Sequence, residues 1–123
     1  MLSGSHLLVA VGRRPATGGL GLDAAGVRTG RDGILVDAAL RTSNRRVFAV
    51  GDCRAGPRFT HAASQDAAVV IRRAVFGLPA RIDRRALPWA TFTDPELAQV
   101  GLTEAAARAA HGGRVTTLKL GFD

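Results

Sequence analysis

The chain has a single cysteine, three histidines and no long apolar run. Its 123 residues include one cysteine, Cys53, which excludes an internal disulfide and a redox-active cysteine pair within the chain. Apolar runs such as residues 67–71 are far too short to cross a bilayer. Residues 1–6 lack the basic flank and long apolar core of a signal peptide. We therefore predict a globular, cytoplasmic protein with no metal site and no membrane partner.

Tyrosine is absent and lysine is nearly so. Only Lys119 among the 17 cationic residues is a lysine, and the formal net charge of +7 therefore comes from arginine. A clustered basic surface binds nucleic acid by releasing counterions from phosphates. These arginines are instead scattered in pairs along the chain, without aromatic residues between them. The pattern predicts no nucleic-acid partner, and leaves some arginines to face an acidic protein surface or the phosphates of a cofactor.

Two short apolar segments end in glycine. Residues 7–11 form a continuous apolar run before Gly12, which is typical of a strand covered on both faces. Residues 47–50 form a second such strand before Gly51 and Asp52. Open α/β sheets bind ligands at the carboxyl ends of their strands, so Asp52 is a candidate acceptor for a sugar-like hydroxyl group. Two simpler interpretations stay open: Gly12 as a plain strand end, and Asp52 as a helix cap or solvated turn.

The remaining elements of the first 80 residues follow from turn and helix signals. An Asp-Gly step at 32–33 separates two β-prone segments, 27–29 and 34–37, and predicts a β-hairpin. A helix is expected over residues 62–76, because small apolar residues recur at helical spacing and Gly77 and Pro79 follow. Together with the two strands, these elements predict the α/β fold class.

Composition changes near residues 82–87, where a domain boundary is expected. Beyond it, residues 87–93 predict a strand and residues 115–120 predict another. A helix is expected between them, because Thr103 is a good N-cap and Glu104 and Arg108 are spaced for an i,i+4 ion pair.

Three segments resemble one known family. Residues 7–15 resemble the hydrophobic-Ala-x-Gly-Arg-x-Pro segment of the flavin disulfide reductases, also called pyridine nucleotide-disulfide oxidoreductases. Residues 42–52 resemble their second FAD motif, and residues 88–104 resemble the opening of their dimerisation domain. Gly-Asp-Cys at 51–53 and Phe-Thr-Asp-Pro at 92–95 are most similar to the mercuric reductase branch.

The resemblance implies a fold and a domain organisation. It implies the C-terminal part of an FAD/NAD(P)-binding Rossmann-like domain, followed by the start of an α+β dimerisation domain. Residues 1–12 would end the NAD(P)-binding domain, residues 13–83 would form the C-terminal part of the FAD-binding domain, and residues 84–123 would be a truncated dimerisation domain. The intact protein would be a homodimer that uses FAD and NAD(P)H.

The resemblance also implies cofactor-binding residues. Gly12 matches the glycine that lies near bound NAD(P)H, and Asp52, preceded by Gly51, matches the aspartate that bonds the ribityl chain of FAD. The next four matching residues begin a helix whose amino end faces the flavin pyrimidine, where free N–H groups stabilise negative charge: Phe59, Thr60, His61 and Ala62. His61 is assigned to packing or hydrogen bonding rather than proton transfer, and Cys53 to a small buried hydrophobe. No residue is assigned a catalytic role.

Several family features are missing from the chain. It contains no Gly-x-Gly-x-x-Gly fingerprint, no Cys-x4-Cys pair and no C-terminal His-Glu pair, and Ala16 replaces the usual Asn. We therefore expect a fragment of an FAD-dependent NAD(P)H oxidoreductase, which on its own cannot complete hydride transfer. The alternative is a non-catalytic interaction module that associates with another chain through residues 88–123.

Overall fold

The computed structural model describes residues 3–121, which fall into two compact units that meet in sequence between Ala80 and Arg81. Two residues of the predicted 1–12 segment and two of the predicted 84–123 segment lie outside the described residues. Over the described range, no helix combines the length and the apolar character needed to span a membrane.

The first unit contains the predicted hairpin. Strand β1, Thr29–Gly30, pairs antiparallel with strand β2, Gly33–Ile34, and the turn between them is Arg31-Asp32. The hairpin is confirmed, but its turn lies one residue earlier than the predicted Asp-Gly step. Gly33 belongs to the strand, with a φ of 121°. Its strand position brings its backbone against the carbonyl group of Cys53, where a side chain does not fit.

The predicted long helix is confirmed with its bounds shifted by two residues. Helix α1 spans Thr60–Ala74 and is followed by Gly77 in the left-handed region, with a φ of 65°. Its buried residues are Ala62 and Asp66, four positions apart on one face. This face packs against the loop that carries Asp52.

The core of the first unit is small. Val27, Ile34 and Ala49 are buried together, and partly buried apolar side chains pack around them. Cys53 packs against this core, so the loop of residues 51–55 contacts it. The loop therefore rests on an ordered support.

The predicted strands at residues 7–11 and 115–120 are wrong, because the structure assigns no strand to either segment. Leu7, Leu8 and Val11 are exposed at 87–92% of their surface. A strand of a buried sheet needs neighbouring strands on both sides for its backbone hydrogen bonds, and residues 3–121 supply none here. The predicted strand at 47–50 is reduced to a single bridge between Arg41 and Phe48.

The second unit is a hairpin followed by a helix. Strand β3, Pro88–Thr91, pairs antiparallel with strand β4, Leu97–Val100, so the predicted strand over 87–93 is confirmed in its central part. Helix α2, Glu104–His111, is also confirmed: Ala106 donates its N–H to the Thr103 hydroxyl at 3.1 Å. The expected ion pair of Glu104 with Arg108 measures 2.9 Å. No residue of the described range 81–121 is fully buried.

A surface ion pair next to the boundary yields a pH prediction. Arg85 donates side-chain and backbone hydrogen bonds to Asp83 and lowers the pKa of that carboxyl from 3.8 to about 2. Because the folded pKa is lowered, the pair is complete above about 3.8 and is lost as the pH falls through about 2. An NMR titration should therefore place the Asp83 midpoint near 2 in the chain. Arg85→Gln should move the midpoint up towards 3.8, whereas Arg81→Gln should leave it unchanged; equal midpoints in all three proteins would rule out the pair in solution.

Candidate functional site

Asp52 lies in a short 3-10 turn, Gly51–Cys53, that follows the apolar segment 47–50. Gly51 adopts a φ of 68°, a left-handed conformation that residues with a Cβ rarely take, and it turns the chain out of the segment. The thiol of Cys53 donates to the carbonyl of Val50 at 3.2 Å and packs against the core, as a small hydrophobe does. The side chain of Asp52 is exposed at the top of the turn.

A buried ion pair fixes this turn to helix α1. The side chains of Arg54 and Asp66 are each 1% exposed. Oδ2 of Asp66 accepts from Nε of Arg54 at 2.6 Å and lies 2.5 Å from its Nη2. The same oxygen accepts the backbone N–H of Gly51 at 3.1 Å. One carboxylate oxygen of the helix thus holds both ends of the turn that carries Asp52.

The hairpin fixes the turn from the other side. Ala55 donates its N–H to the carbonyl of Ile34 at 3.0 Å, and Ile34 and Arg54 form a parallel bridge. A Cβ at Gly33 would lie 2.5 Å from the carbonyl oxygen of Cys53 and 2.9 Å from the carbonyl carbon of Arg54, which shows how closely the two backbones pack. The loop 51–55 is therefore held between β2 and α1.

The amino end of α1 is the second part of the site. Phe59 is the N-cap residue, and its side chain makes no capping hydrogen bond, so the donors of the first turn are not satisfied by a side-chain cap. Thr60 and His61 are exposed, whereas Ala62 is buried to 1% exposure. The rings of Phe59 and His61 stack with centroids 5.4 Å apart. His61 therefore takes part in packing at the helix start.

The structure brings the two predicted FAD-binding segments together. A Cβ at Gly51 would lie 3.5 Å from the Cβ of Ala63, so the turn of Asp52 lies against the first turn of α1. Residues 51–52 and 59–62 were assigned to the same flavin from two different motifs. Their shared location arises from tertiary packing that neither motif specifies.

Gly12 lies in a neighbouring, strongly basic cleft. The cleft has a volume of about 620 Å³ and is lined by Val11, Gly12, Arg13, Arg14, Arg31, Asp32 and Arg58. Arg58 donates from Nη1 to the carbonyl oxygen of Arg13 at 2.8 Å and so joins the Gly12 segment to the loop before α1. A second cleft of about 590 Å³ continues from Arg13, Asp32 and Arg58 to Phe59. The structure thus brings Gly12 towards the helix start, with arginines around it.

Three residues that shape the site were not predicted from the sequence: Arg54, Arg58 and Asp66. Asp66 does leave a signal, because it follows Ala62 by four positions and therefore lies on the face of α1 that small apolar residues occupy. A carboxylate on such a face requires a buried partner. Nothing local identifies Arg54 or Arg58 as the residues that contact the helix and the Gly12 segment.

The site offers a carboxylate and a helix amino end to a ligand. Within residues 3–121, no three histidine, cysteine or carboxylate side chains are grouped to hold a metal ion. Asp52 presents, on a fixed turn, an exposed carboxylate that can accept a hydrogen bond from a hydroxyl group. The adjacent helix presents its positive amino end. An acceptor beside a helix amino end suits a ligand that carries both hydroxyl groups and partial negative charge.

Comparison with known proteins identifies the family. Residues 1–67 match the family model described as pyridine nucleotide-disulphide oxidoreductase. The chain is 45% identical over 119 residues to a mercuric reductase of Streptomyces lividans, covering 94% of this chain and 25% of that protein. It is 48% identical over 99 residues to a dihydrolipoyl dehydrogenase of Halobacterium salinarum, covering 80% of this chain and 21% of that protein.

Solved structures agree with these relatives. LpdA from Mycobacterium tuberculosis superposes with a TM-score of 0.78 at 31% identity, over 87% of this chain and 24% of that chain. The HOCl-induced flavoprotein disulfide reductase RclA from Escherichia coli, in its Cu(II) complex, gives a TM-score of 0.71 at 36% identity. The match covers 81% of this chain and 24% of that chain. The fold is thus a mixed arrangement of helices and strands that these flavoprotein disulfide reductases share.

The chain belongs to the pyridine nucleotide-disulphide oxidoreductase family, as its three motifs predicted. Members of this family are FAD-containing oxidoreductases that use NAD(P)H, and the related flavoprotein disulfide reductases are typically homodimers. The chain spans about a quarter of the length of the curated relatives it matches.

Proposed function

We propose that the chain supplies the ribityl and pyrimidine side of the FAD site of an NAD(P)H-dependent flavin oxidoreductase. The observation that carries this proposal is the exposed carboxylate of Asp52, held on a clamped turn beside the amino end of α1. Because the turn that carries this carboxylate is already fixed, less conformational entropy is lost when it binds a hydroxyl group. When bound, FAD supplies two-electron redox chemistry, taking a hydride from NAD(P)H.

The residues of the chain have distinct roles in this proposal. Asp52 accepts a hydrogen bond from a ribityl hydroxyl, and Gly51 lets the ligand approach the backbone. The first turn of α1, Thr60 to Ala62, offers backbone N–H groups to the pyrimidine, with Phe59 and His61 packed together at its edge. Gly12 leaves room for NAD(P)H, because no atom lies within 4 Å of the position its Cβ would take.

The proposal includes a place for this chain in a larger protein. Residues 1–12 would end an NAD(P)-binding domain, residues 13–83 would complete a Rossmann-like FAD-binding domain, and residues 84–123 would begin an α+β dimerisation domain, in a cytoplasmic homodimer. Three observations support this organisation: the exposed apolar segment 7–11, the division next to residue 80, and the absence of buried residues over the described range 81–121. Relatives named mercuric reductase and dihydrolipoyl dehydrogenase match at 45% and 48% identity, so the final electron acceptor is left open.

The alternative, a non-catalytic interaction module, has one observation in its favour. Large apolar side chains of the second unit are exposed, namely Phe92, Leu97, Val100, Leu102, Leu118 and Leu120. Such a surface favours association with another protein chain. Under the dimer proposal the same side chains contact a second copy, so only flavin binding distinguishes the two functions.

A hybrid protein tests the proposal. In this hybrid protein, the chain replaces the aligned segment of the Streptomyces lividans mercuric reductase. Asp52→Ala should weaken FAD binding roughly 5- to 150-fold, because a buried ligand hydroxyl loses a charged acceptor. FAD affinity is measured by titrating the flavin-free protein and following flavin fluorescence.

Asp23→Ala is the matched control, because Asp23 is an exposed aspartate of the same unit that does not belong to residues 51–62. It should bind FAD as the unmodified hybrid protein does. If Asp52→Ala also keeps the original affinity, the proposed role of Asp52 is wrong.

A further inference from the structure

We infer that Arg54 and Asp66 are positioning residues for FAD binding, which act by holding the N–H of Gly51 and thereby the orientation of Asp52. This inference rests on the proposed function of Asp52 and adds a mechanism for its placement. Neither side chain contacts the ligand in this inference, since both are only 1% exposed.

Three nitrogen atoms converge on one carboxylate oxygen. Oδ2 of Asp66 contacts Nε and Nη2 of Arg54 and the N–H of Gly51, at 2.6, 2.5 and 3.1 Å. These groups flank Asp52 on both sides in sequence. Because the turn between them is only three residues long, fixing its two ends limits the directions that the Asp52 side chain can take.

A buried ion pair is an energetically costly way to hold a loop. Removing two charges from water costs several kcal/mol per ion, so apolar residues of similar volume often support a fold as well or better. Arg54 also donates from Nη1 to the carbonyl of Ala55 at 2.8 Å, which adds a third fixed point just after the turn. Through these contacts the pair constrains the backbone of residues 51–55.

The ion pair also links the turn to the helix. Asp66 lies in α1, the helix whose amino end begins at Thr60. The ion pair therefore joins Asp52 and the first-turn N–H groups into one unit, and both proposed parts of the FAD site keep a fixed spacing. Loosening the ion pair should disturb flavin binding even where the fold survives.

Two double variants of the hybrid protein separate positioning from stability. R54M/D66L removes both charges and the acceptor for the Gly51 N–H. R54M/D66N removes the same charges but keeps an amide oxygen at the place of Oδ2. Because neither leaves a buried charge unpaired, both should fold. R54M/D66L should bind FAD about tenfold more weakly than R54M/D66N, which corresponds to the loss of one hydrogen bond.

Amide hydrogen exchange of the flavin-free hybrid protein tests the contact itself. The Gly51 N–H should exchange about tenfold faster in R54M/D66L than in R54M/D66N, since only the second keeps an acceptor. Equal exchange rates would overturn the inference whatever the flavin result. If R54M/D66L does not fold, R54M/D66A replaces it, because alanine also removes the acceptor for the Gly51 N–H and adds no bulk to the buried position.

A mutant cycle with Asp52→Ala tests whether the effect passes through Asp52. In the Asp52→Ala background, the tenfold difference in FAD affinity between the two double variants should vanish. A difference that persists there would mean that the ion pair supports FAD binding without Asp52, and the inference would be wrong. Failure of the proposed function looks different, because Asp52→Ala alone would then leave FAD affinity unchanged.

Discussion

We expect Asp66→Asn to lower the free energy of unfolding of the hybrid protein by about 3–5 kcal/mol, because it leaves the buried guanidinium of Arg54 without its carboxylate. Asparagine has nearly the shape of aspartate and keeps an oxygen for the N–H of Gly51, so the loss reports the missing charge rather than a cavity. Chemical denaturation, followed by circular dichroism, measures the effect.

Arg45→Gln is the matched control for this substitution. Arg45 pairs with Asp37 at 2.9 Å, but their side chains are 68% and 43% exposed, and solvent screens the interaction. Its removal should cost no more than about 1 kcal/mol. If the two variants lose the same stability, the Arg54–Asp66 pair is not buried in solution, and the clamp on the turn does not exist.

Gly33→Ala should be the most damaging glycine substitution in the first unit. Its Cβ would lie 2.5 Å from the carbonyl oxygen of Cys53. This oxygen belongs to the backbone, so it cannot move aside by a side-chain rotation. The φ of 121° adds strain for any residue with a Cβ. Overpacking and backbone strain together predict a loss of about 3 kcal/mol or more in unfolding free energy.

Two other glycine substitutions are controls for Gly33→Ala. Gly26 has a φ of 66° but open space around its Cβ position, so Gly26→Ala should cost only about 1–2 kcal/mol of backbone strain. Gly18 has neither constraint, and Gly18→Ala should change stability by less than about 0.5 kcal/mol. If Gly33→Ala is no worse than Gly26→Ala, the close packing of β2 on the Asp52 loop is absent.

Elements specified by short-range signals were predicted well. The N-cap at Thr103, the ion pair of Glu104 with Arg108 and the glycine after α1 involve residues at most four positions apart or next to the helix end. Such signals work within one element and do not depend on the rest of the fold. The hairpin at residues 29–34 belongs to the same class, although its exact turn was set by packing against Cys53.

Elements that need distant partners were not predicted correctly. Residues 7–11 and 115–120 have the composition of strands, but a strand forms only where another strand accepts its hydrogen bonds. The residues of the site show the same contrast between local signals and distant contacts. Asp52 and residues 59–62 follow from motifs, whereas the Arg54–Asp66 pair is formed by side-chain packing between residues twelve positions apart.

The most direct test of the proposed function is a crystal structure of the hybrid protein grown with FAD. We expect an oxygen of Asp52 within about 2.5–3.0 Å of a ribityl hydroxyl, with the flavin pyrimidine facing the first turn of α1. We also expect Oδ2 of Asp66 to remain on the N–H of Gly51. An FAD molecule bound with Asp52 turned away to solvent, or bound remote from residues 51–62, would contradict the account.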